Sequence, residues 1–250
     1  MKPKILFWDI ETSPNLAYTW TKYFPNGGSV VGFQKEWDLL SFAYKYQGSD
    51  KVVCKTRQDY KDKTDKSLVQ ELHRILNDAD IIVAHNGNSF DIKKANARFL
   101  FHKLGPTKVP SAIDTKLVAK RYFSFNSNSL NDLGQFLGLG KKAETGGFQL
   151  WLDCMAGKSA AWAKMSKYNK QDVVLLEKVY ERMRPYMIDH PSVSLLAGDI
   201  KNVGCANCGS HRLQGNGVRA TKANLVQRIR CLDCGANSQV PIPKVSKPKK

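Results

Sequence analysis

A chain of 250 residues with 42% hydrophobic and 10% aromatic content can bury one sizeable core and carry a small extra module, which excludes wholesale disorder. No apolar run approaches a membrane span and the N-terminus lacks a signal-like apolar stretch, so a cytoplasmic protein with no membrane contact is expected. Of the net charge of +17, nine units lie from Lys201 onward, where ten Lys and Arg face one acid, Asp233; so concentrated a basic segment points to a polyanion, above all nucleic acid.

The first strand is KILFWDIET, Lys4 to Thr12, in which Ile5, Phe7, Asp9 and Glu11 share one face and Leu6, Trp8 and Ile10 the other. An aromatic excursion follows, with Gly27 and Gly28 as a turn, and then two strands, DLLSFAYKYQG and KVVCKT, joined around Gly48. Helical spacing of Leu68, Leu72, Ile75 and Leu76 predicts a helix over Lys66 to Asn77, and Ile81 to Ala84 reads as a short buried strand. From Asp91 a helix turns Ile92, Ala95, Phe99 and Leu100 inward and stops at Gly105 and Pro106. SAID is another strand, followed by helices at Thr115 to Tyr122 and Leu130 to Leu137, the latter ended by Gly138 and Gly140. GGFQLWLDCM and SAAWAKM read as short helical pieces, and a long helix runs from Ser166 to Met187. Strands first, then alternating helices and strands, then a terminal helix predict an α/β fold with a mixed sheet and flanking helices. Composition shifts beyond Pro191, so the expected units are a domain over 1–190, a small cysteine-rich module over 200–240 and a disordered basic tail over 241–250.

Three places carry acids that need explaining. Asp9 and Glu11, one residue apart at the end of an apolar strand, are either exposed where the strand runs out or gathered around a hard divalent cation. Asp91, at the end of HNGNSFD, is either the N-cap of its helix or a further ligand. Tyr168 and Asp172 in YNKQD lie four apart and so share a helix face. That face continues through Leu175 or Leu176, Val179 and Met183, so Asp172 interrupts a core-facing stripe, which a partner cation accounts for. Tyr46 and Asp50 satisfy the same spacing, and only placement on the last long helix selects Tyr168.

Six cysteines in a reducing compartment argue against disulfides. Cys54 and Cys154 read as buried thiols, while Cys205, Cys208, Cys231 and Cys234 form two Cys-x2-Cys knuckles separated by 22 residues. Four thiolates with no open position suit one structural Zn²⁺ in a zinc ribbon; iron is the other ion such a set takes. Gly209 and Gly235 follow the knuckles and permit the turn that aims N–H groups at sulfur. Between the knuckles lie Arg212, Arg219, Lys222, Arg228 and Arg230, which read as a nucleic-acid surface, Arg219, Arg228 and Arg230 foremost; docking of a protein partner is the competing reading.

DIET, NGNSFD and YNKQD, in that order, resemble the three motifs of the DEDD exonuclease superfamily, tyrosine subclass, as in the proofreading domain of family-B DNA polymerases. The resemblance covers about residues 4 to 187. With its cysteine-rich end, the whole chain also looks like the stand-alone ribonuclease-H-like exonucleases of bacteriophages; it has no room for polymerase fingers, palm or thumb. What this implies is a ribonuclease-H-like fold and hydrolysis from a 3′ end with two Mg²⁺ or Mn²⁺. Asp9 would bridge both ions, with Glu11 and Asp172 on the first, Asp91 on the second and Tyr168 positioning the attacking water. Thr12, Asn86 and Phe90 match positions that contact the terminal nucleotide, although Phe90 also reads as core, and His85 as a structural histidine. The implied partner is nucleic acid, single-stranded or fraying 3′ ends of DNA, alongside a polymerase or another replication protein. RNA is the competing substrate, and a non-catalytic nucleic-acid-binding protein on the same scaffold is the competing class.

Overall fold

The computed structural model describes residues 2–21, 30–62, 64–108, 111–200, 204–222 and 224–241. Gly27, Gly28 and the tail from 242 onward lie outside the described residues. The central strand is β1 (Ile5–Thr12), antiparallel to β4 (Leu39–Tyr46) on one side and parallel to β6 (Ile81–Ala84) on the other. Adding β5 (Val53–Thr56) beside β4, and β7 (Ser111–Asp114) beside β6, completes a five-stranded mixed sheet in the order β5-β4-β1-β6-β7. The aromatic excursion is partly regular: β2 (Leu16–Tyr18) and β3 (Gly32–Lys35) form a two-stranded hairpin outside the main sheet.

Alternation along β1 divides the core as its sequence requires. Leu6, Trp8 and Ile10 pack against α1 (Lys66–Asn77) and α2 (Asp91–Phe101), touching a cluster that includes Leu68, Leu72 and Phe99. Ile5 and Phe7 face the opposite layer, where α3 (Thr115–Tyr122), α4 (Leu130–Phe136) and α6 (Ser159–Met183) contribute Ala119, Leu133, Leu176 and Val179. Phe7 meets Tyr180 edge to face at 5.2 Å. Each such fully buried side chain stabilises the fold by roughly 1.5–3 kcal/mol, so a register slip that swapped the two faces is strongly disfavoured. α5 (Gln149–Met155) closes a satellite cluster of Leu40, Leu150, Cys154, Trp162 and Met165.

Three sequence expectations need correction. SAAWAKM and the helix expected from Ser166 are one continuous helix of 25 residues, α6, which ends at Met183, with a short 3-10 turn at Arg184–Tyr186 before Met187. Ser166 sits between Met165 and Asn169 on an unbroken stripe that starts at Trp162, so nothing stops the helix until Pro185. Leu100 is 80% exposed, because Ala95 and Phe99 already occupy the inward line of α2 and the next residue turns away. Cys154 is buried as expected, whereas Cys54 is only half-buried. At Gly134 an added Cβ would stand 2.6 Å from the Gly140 carbonyl and 2.9 Å from Leu175, so α4 packs onto α6 only with glycine there.

The cysteine module is a separate three-stranded antiparallel sheet, β8 (Leu213–Ala220), β9 (Leu225–Cys231) and β10 (Asn237–Pro241), preceded by one short helical turn, α7 (Val193–Leu196). Its seam with the larger domain is polar and specific. The buried Asn207 amide donates to the backbone carbonyls of Arg184 and Met187, closing the end of α6. The Val193 N–H donates to the Ala206 carbonyl, and His190, bonded to Tyr180 and to the Pro191 carbonyl, fixes the connection.

Candidate metal-dependent active site

At its C-terminal end, β1 presents Asp9 and Glu11 on the face that looks toward α6, and the register with β4 shifts between Glu11 and Thr12. Such a bulge re-aims the side chains beside it. From α6, Asp172 arrives fully buried among Val173, Leu175 and Leu176. Carboxylate oxygens of Asp9, Glu11 and Asp172 lie within 4.8 Å of one another. Asp91 opens α2, but Phe90 holds the cap position; the Asp91 carboxylate instead accepts the Ile10 N–H at 3.2 Å, between the two β1 acids. The N-cap reading of Asp91 is thus replaced by a bond across to β1.

These acids are held away from their ordinary ionisation. Burial, then the charges of Asp91, Glu11 and Asp172, raise Asp9 well above the usual carboxylate range. Burial, with the Asp172 charge next, pushes Glu11 up to about 8, and burial pushes Asp91 up to about 7 despite the Ile10 N–H. Burial raises Asp172 as well. Asp9 Oδ2 and Asp172 Oδ1 are buried without a hydrogen-bond partner. Hard oxygen donors converging on unfilled lone pairs fit a divalent cation such as Mg²⁺ or Mn²⁺. Asp9, Glu11 and Asp172 are the residues that would hold it, with Asp91 alongside.

Tyr168 lies one helical turn before Asp172 on α6, half-buried, with its ring 6.2 Å from that of Trp151. Burial and the Asp172 charge raise its phenol, so it stays protonated at neutral pH. The turn before Asp91 is built from several contacts. Asn86 takes a left-handed φ of 69°, and its N–H donates to Asp114 Oδ1 at 2.9 Å. At Gly87 a Cβ would stand 2.6 Å from that of Ala84, so only glycine lets the chain fold back there. Phe90 is 38% exposed on the rim, with Lys94 Nζ 5.9 Å from its ring centre, which sets aside the core reading. His85 is satisfied at both ring nitrogens, by Thr115 Oγ1 and the Asn128 carbonyl, and burial lowers it to about 4.

A family model of the RNase_H superfamily matches residues 6–184. The chain belongs to the RNase_H superfamily. Among solved structures it is similar to the family B DNA polymerase of the hyperthermophilic archaeon Pyrobaculum calidifontis, with a TM-score of 0.54 and 13% identity over 79% of this chain. The match spans 27% of that polymerase, so the likeness concerns the fold of one part of it. No curated protein matches the chain in sequence. Membership in this superfamily supports a nucleic-acid-cleaving role, and superfamily nucleases work with divalent metals, as the acid cluster fits.

Within this RNase_H frame, three contributors to the site were not anticipated. Lys142 reaches in from the segment after α4, with Nζ 2.6 Å from Asp172 Oδ2 and 3.2 Å from the Tyr168 hydroxyl. Burial alone would lower it, but the Asp172 charge wins and raises it, so it is firmly cationic. Trp151 on α5 lies beside Glu11, where its indole N–H opposes the upward push of burial on the carboxyl. Asp114 caps α3 through the Lys116 and Leu117 N–H groups, and the same carboxylate holds the N–H groups of Asn86 and Asn88. The Asp114 cap was readable from the sequence, since Asp before a helical run is a common start signal. Nothing in the sequence spacing connects Lys142 or Trp151 to acids so far away along the chain.

The four cysteines meet as expected: their sulfurs lie within 4.8 Å of one another, with Cys205 to Cys234 at 3.7 Å and Cys208 to Cys231 at 3.6 Å. Gly209 and Gly235 take φ of 78° and 73°, which the knuckle turns require. Burial raises the Cys208 thiol to about 11; it acts on Cys231 too, but there the Cys234 and Asp233 N–H groups outweigh it and bring the thiol to about 7. A set of four soft sulfur donors with two knuckles fits Zn²⁺. Arg219, Arg228 and Arg230 are exposed on the ribbon sheet and are not part of the carboxylate cluster.

Proposed function

We propose that this chain is a divalent-metal-dependent 3′–5′ exonuclease that hydrolyses nucleic acid, DNA in preference to RNA, with a zinc ribbon that helps hold the substrate. The observation that carries this reading is the convergence of Asp9, Glu11 and Asp172, from strand and helix far apart in sequence, in a buried site where oxygens of Asp9 and Asp172 lack a hydrogen-bond partner. Two bound cations would activate a water and relieve charge on the phosphate in such a cleavage. Asp9 faces both acid neighbours and suits the bridging position, and Asp91, tied to Ile10 beside it, suits the second ion.

The chain's own residues do the rest. Tyr168, kept protonated, positions a water by hydrogen bonding rather than removing its proton. Lys142, already against Asp172 and Tyr168, offers its ammonium to the phosphate side of the reaction. Asn86 on its clamped turn, the rim ring of Phe90 and Thr12 at the bulge would hold the terminal nucleotide, Phe90 by stacking. The DNA preference rests on the likeness to a DNA polymerase.

The test is digestion of 5′-labelled and 3′-labelled DNA and RNA oligomers with Mg²⁺, with Mn²⁺ and with EDTA. Stepwise shortening from the 3′ end with mononucleotide release, stopped by EDTA, is expected, and Tyr168→Phe should slow it while leaving metal binding intact. Predominant internal cuts on a closed circle, or initial release of the 5′ nucleotide, would sink the reading. Faster digestion of RNA would overturn the DNA preference alone.

A further inference from the structure

The strand register of the ribbon sorts its side chains sharply. Arg219 pairs with Val226, while Arg230 pairs with Gln214 and Asn237, and Arg228 with Gln239. Since paired residues and every second residue along a strand share a face, Arg219, Arg228 and Arg230 lie together with the carboxamides of Gln214, Asn237 and Gln239. The other face carries Ile229 together with Leu213 and Cys231, the last two packed in the cysteine cluster. None of these three arginines has a carboxylate partner among the described residues, and the module's single acid, Asp233, is taken by Arg212. Guanidinium groups suit phosphates, and carboxamides, which both donate and accept, suit base edges.

This face is not isolated from the nuclease site. Arg219, Arg228, Asn237 and Gln239 line a groove of about 450 Å³ whose far wall is Ile188, on the larger domain. At the next residue, Asp189, begins a cleft of about 350 Å³ that runs along the free edge of β7 and along α3 as far as Asn88. Asn88 belongs to the turn clamped by Asp114, between Asn86 and Asp91. Asp189 does not repel an anion there, because Arg121 and Tyr122 both bond to its carboxylate. Along α6, the rise of about 1.5 Å per residue puts Met183 about 16 Å from Asp172, with Ile188 a few ångströms beyond. At about 3.4 Å per stacked nucleotide a strand spanning those two ends needs roughly six nucleotides or more.

We infer that one strand, with its 3′ end at the carboxylates, follows this joined groove and reaches the arginine face of the ribbon only when it is about six or more nucleotides long. The inference rests on the exonuclease reading and adds a length rule to it. The ribbon then grips long strands and lets go of short ones, so digestion should leave a transient population of oligomers near five to seven nucleotides.

The experiment measures binding of the full chain, made inactive by Asp9→Ala, to single strands of 3, 4, 6, 8, 12 and 20 nucleotides. The same series is run with Arg219→Gln, Arg228→Gln and Arg230→Gln added. Zinc content and melting temperature confirm that the added changes, all at exposed positions, leave the ribbon folded. The expected result is a rise in affinity of tenfold or more between four and eight nucleotides in the parent, absent from the triple variant. On the 20-mer the salt slope should be shallower by about 2 for three lost single-strand contacts. A ratio of parent to variant affinity that is the same at four nucleotides as at twenty overturns the length rule while leaving the exonuclease reading standing. So does a steep rise that survives in the variant. Failure to bind any strand at any length overturns both.

Discussion

The cysteine cluster and the carboxylate cluster are built on opposite plans. The cysteines come from 30 consecutive residues, Cys205 to Cys234, on two short turns that owe their shape to glycine, and they close on one another with little else to hold them. The acids come from residues as far apart as Asp9 and Asp172, each mounted on an element whose neighbours are deep in the core. In the first cluster a metal would organise the chain; in the second the chain organises the place for a metal. A ligand set assembled by a prior fold can keep unfilled lone pairs and raised pKa values, as a reaction centre requires, whereas a small module has no core to spend on such tension.

The contrast is easiest to break at the acids. Asp9→Ala or Asp172→Ala should lower cleavage by about a hundredfold to a thousandfold, the scale of losing a positioned charge-stabilising group. The metal-free variant should melt no lower than the parent, since one of several crowded carboxylates is gone. Cleavage assays and thermal melts check both halves, and a variant that unfolds would mean that the acid site, too, is organised by its charges.

At the cysteines the opposite pattern is expected. Cys208→Ser or Cys231→Ser should release zinc and unfold the 204–241 region, because structural zinc in small modules contributes about 10–16 kcal/mol at neutral pH. Metal-dependent cleavage at low salt should persist in these variants while substrate binding weakens. Limited proteolysis, zinc content and a salt series report the three effects, and a ribbon that stays protected without zinc would contradict the proposed plan.

Lys142 sharpens the comparison, being the cation that the acid site carries within its own chain. Lys142→Met should bind Mn²⁺ on the order of tenfold tighter, since a competing positive charge has left Asp172, and should cleave more slowly. Calorimetric titration separates the two effects; unchanged or weaker Mn²⁺ binding refutes the competition.

The smallest effect is on pH dependence. Glu11 and Asp91, raised to about 8 and about 7, hold protons in the folded chain that the unfolded chain releases above the ordinary carboxylate range. Their favourable contribution is therefore complete near pH 4 and is lost as pH rises through 7 to 8. Protein freed of Mg²⁺ but retaining zinc should melt a few degrees lower at pH 8.5 than at pH 6, at about 2–4 °C per kcal/mol for a chain of this size. Saturating Mg²⁺ should flatten the difference. A melting point that climbs with pH in the metal-free protein would refute the proton-holding picture.

Periodicity was a reliable guide where one face of an element decided its fate. The bounds of α1, β6, β7 and α3 follow from their apolar spacing and start signals, and the two faces of β1 sort as alternation demands. The motif acids were legible because a charge in an apolar stripe calls for a partner, and at Asp172 that argument needed no structure. The reading failed where a local signal met a longer-range demand. Ser166 looked like a helix start, yet the stripe from Trp162 to Met183 carried α6 straight through it. Leu100 fitted a hydrophobic spacing that Phe99 had already satisfied. Lys142 and Trp151 were invisible for a different reason: they touch Asp172 and Glu11 only through the packing of α5 and its approach segment against α6.

The amide of Asn207 bears on how the protein can be cut apart. Its Nδ2 closes the carbonyls of Arg184 and Met187, so the last turn of the nuclease's longest helix is finished by a residue of the ribbon. A fragment ending at residue 190 would lose that amide and, with it, the Pro191 carbonyl that orients His190 against Tyr180. Anyone preparing the nuclease alone should expect a frayed and protease-sensitive C-terminus.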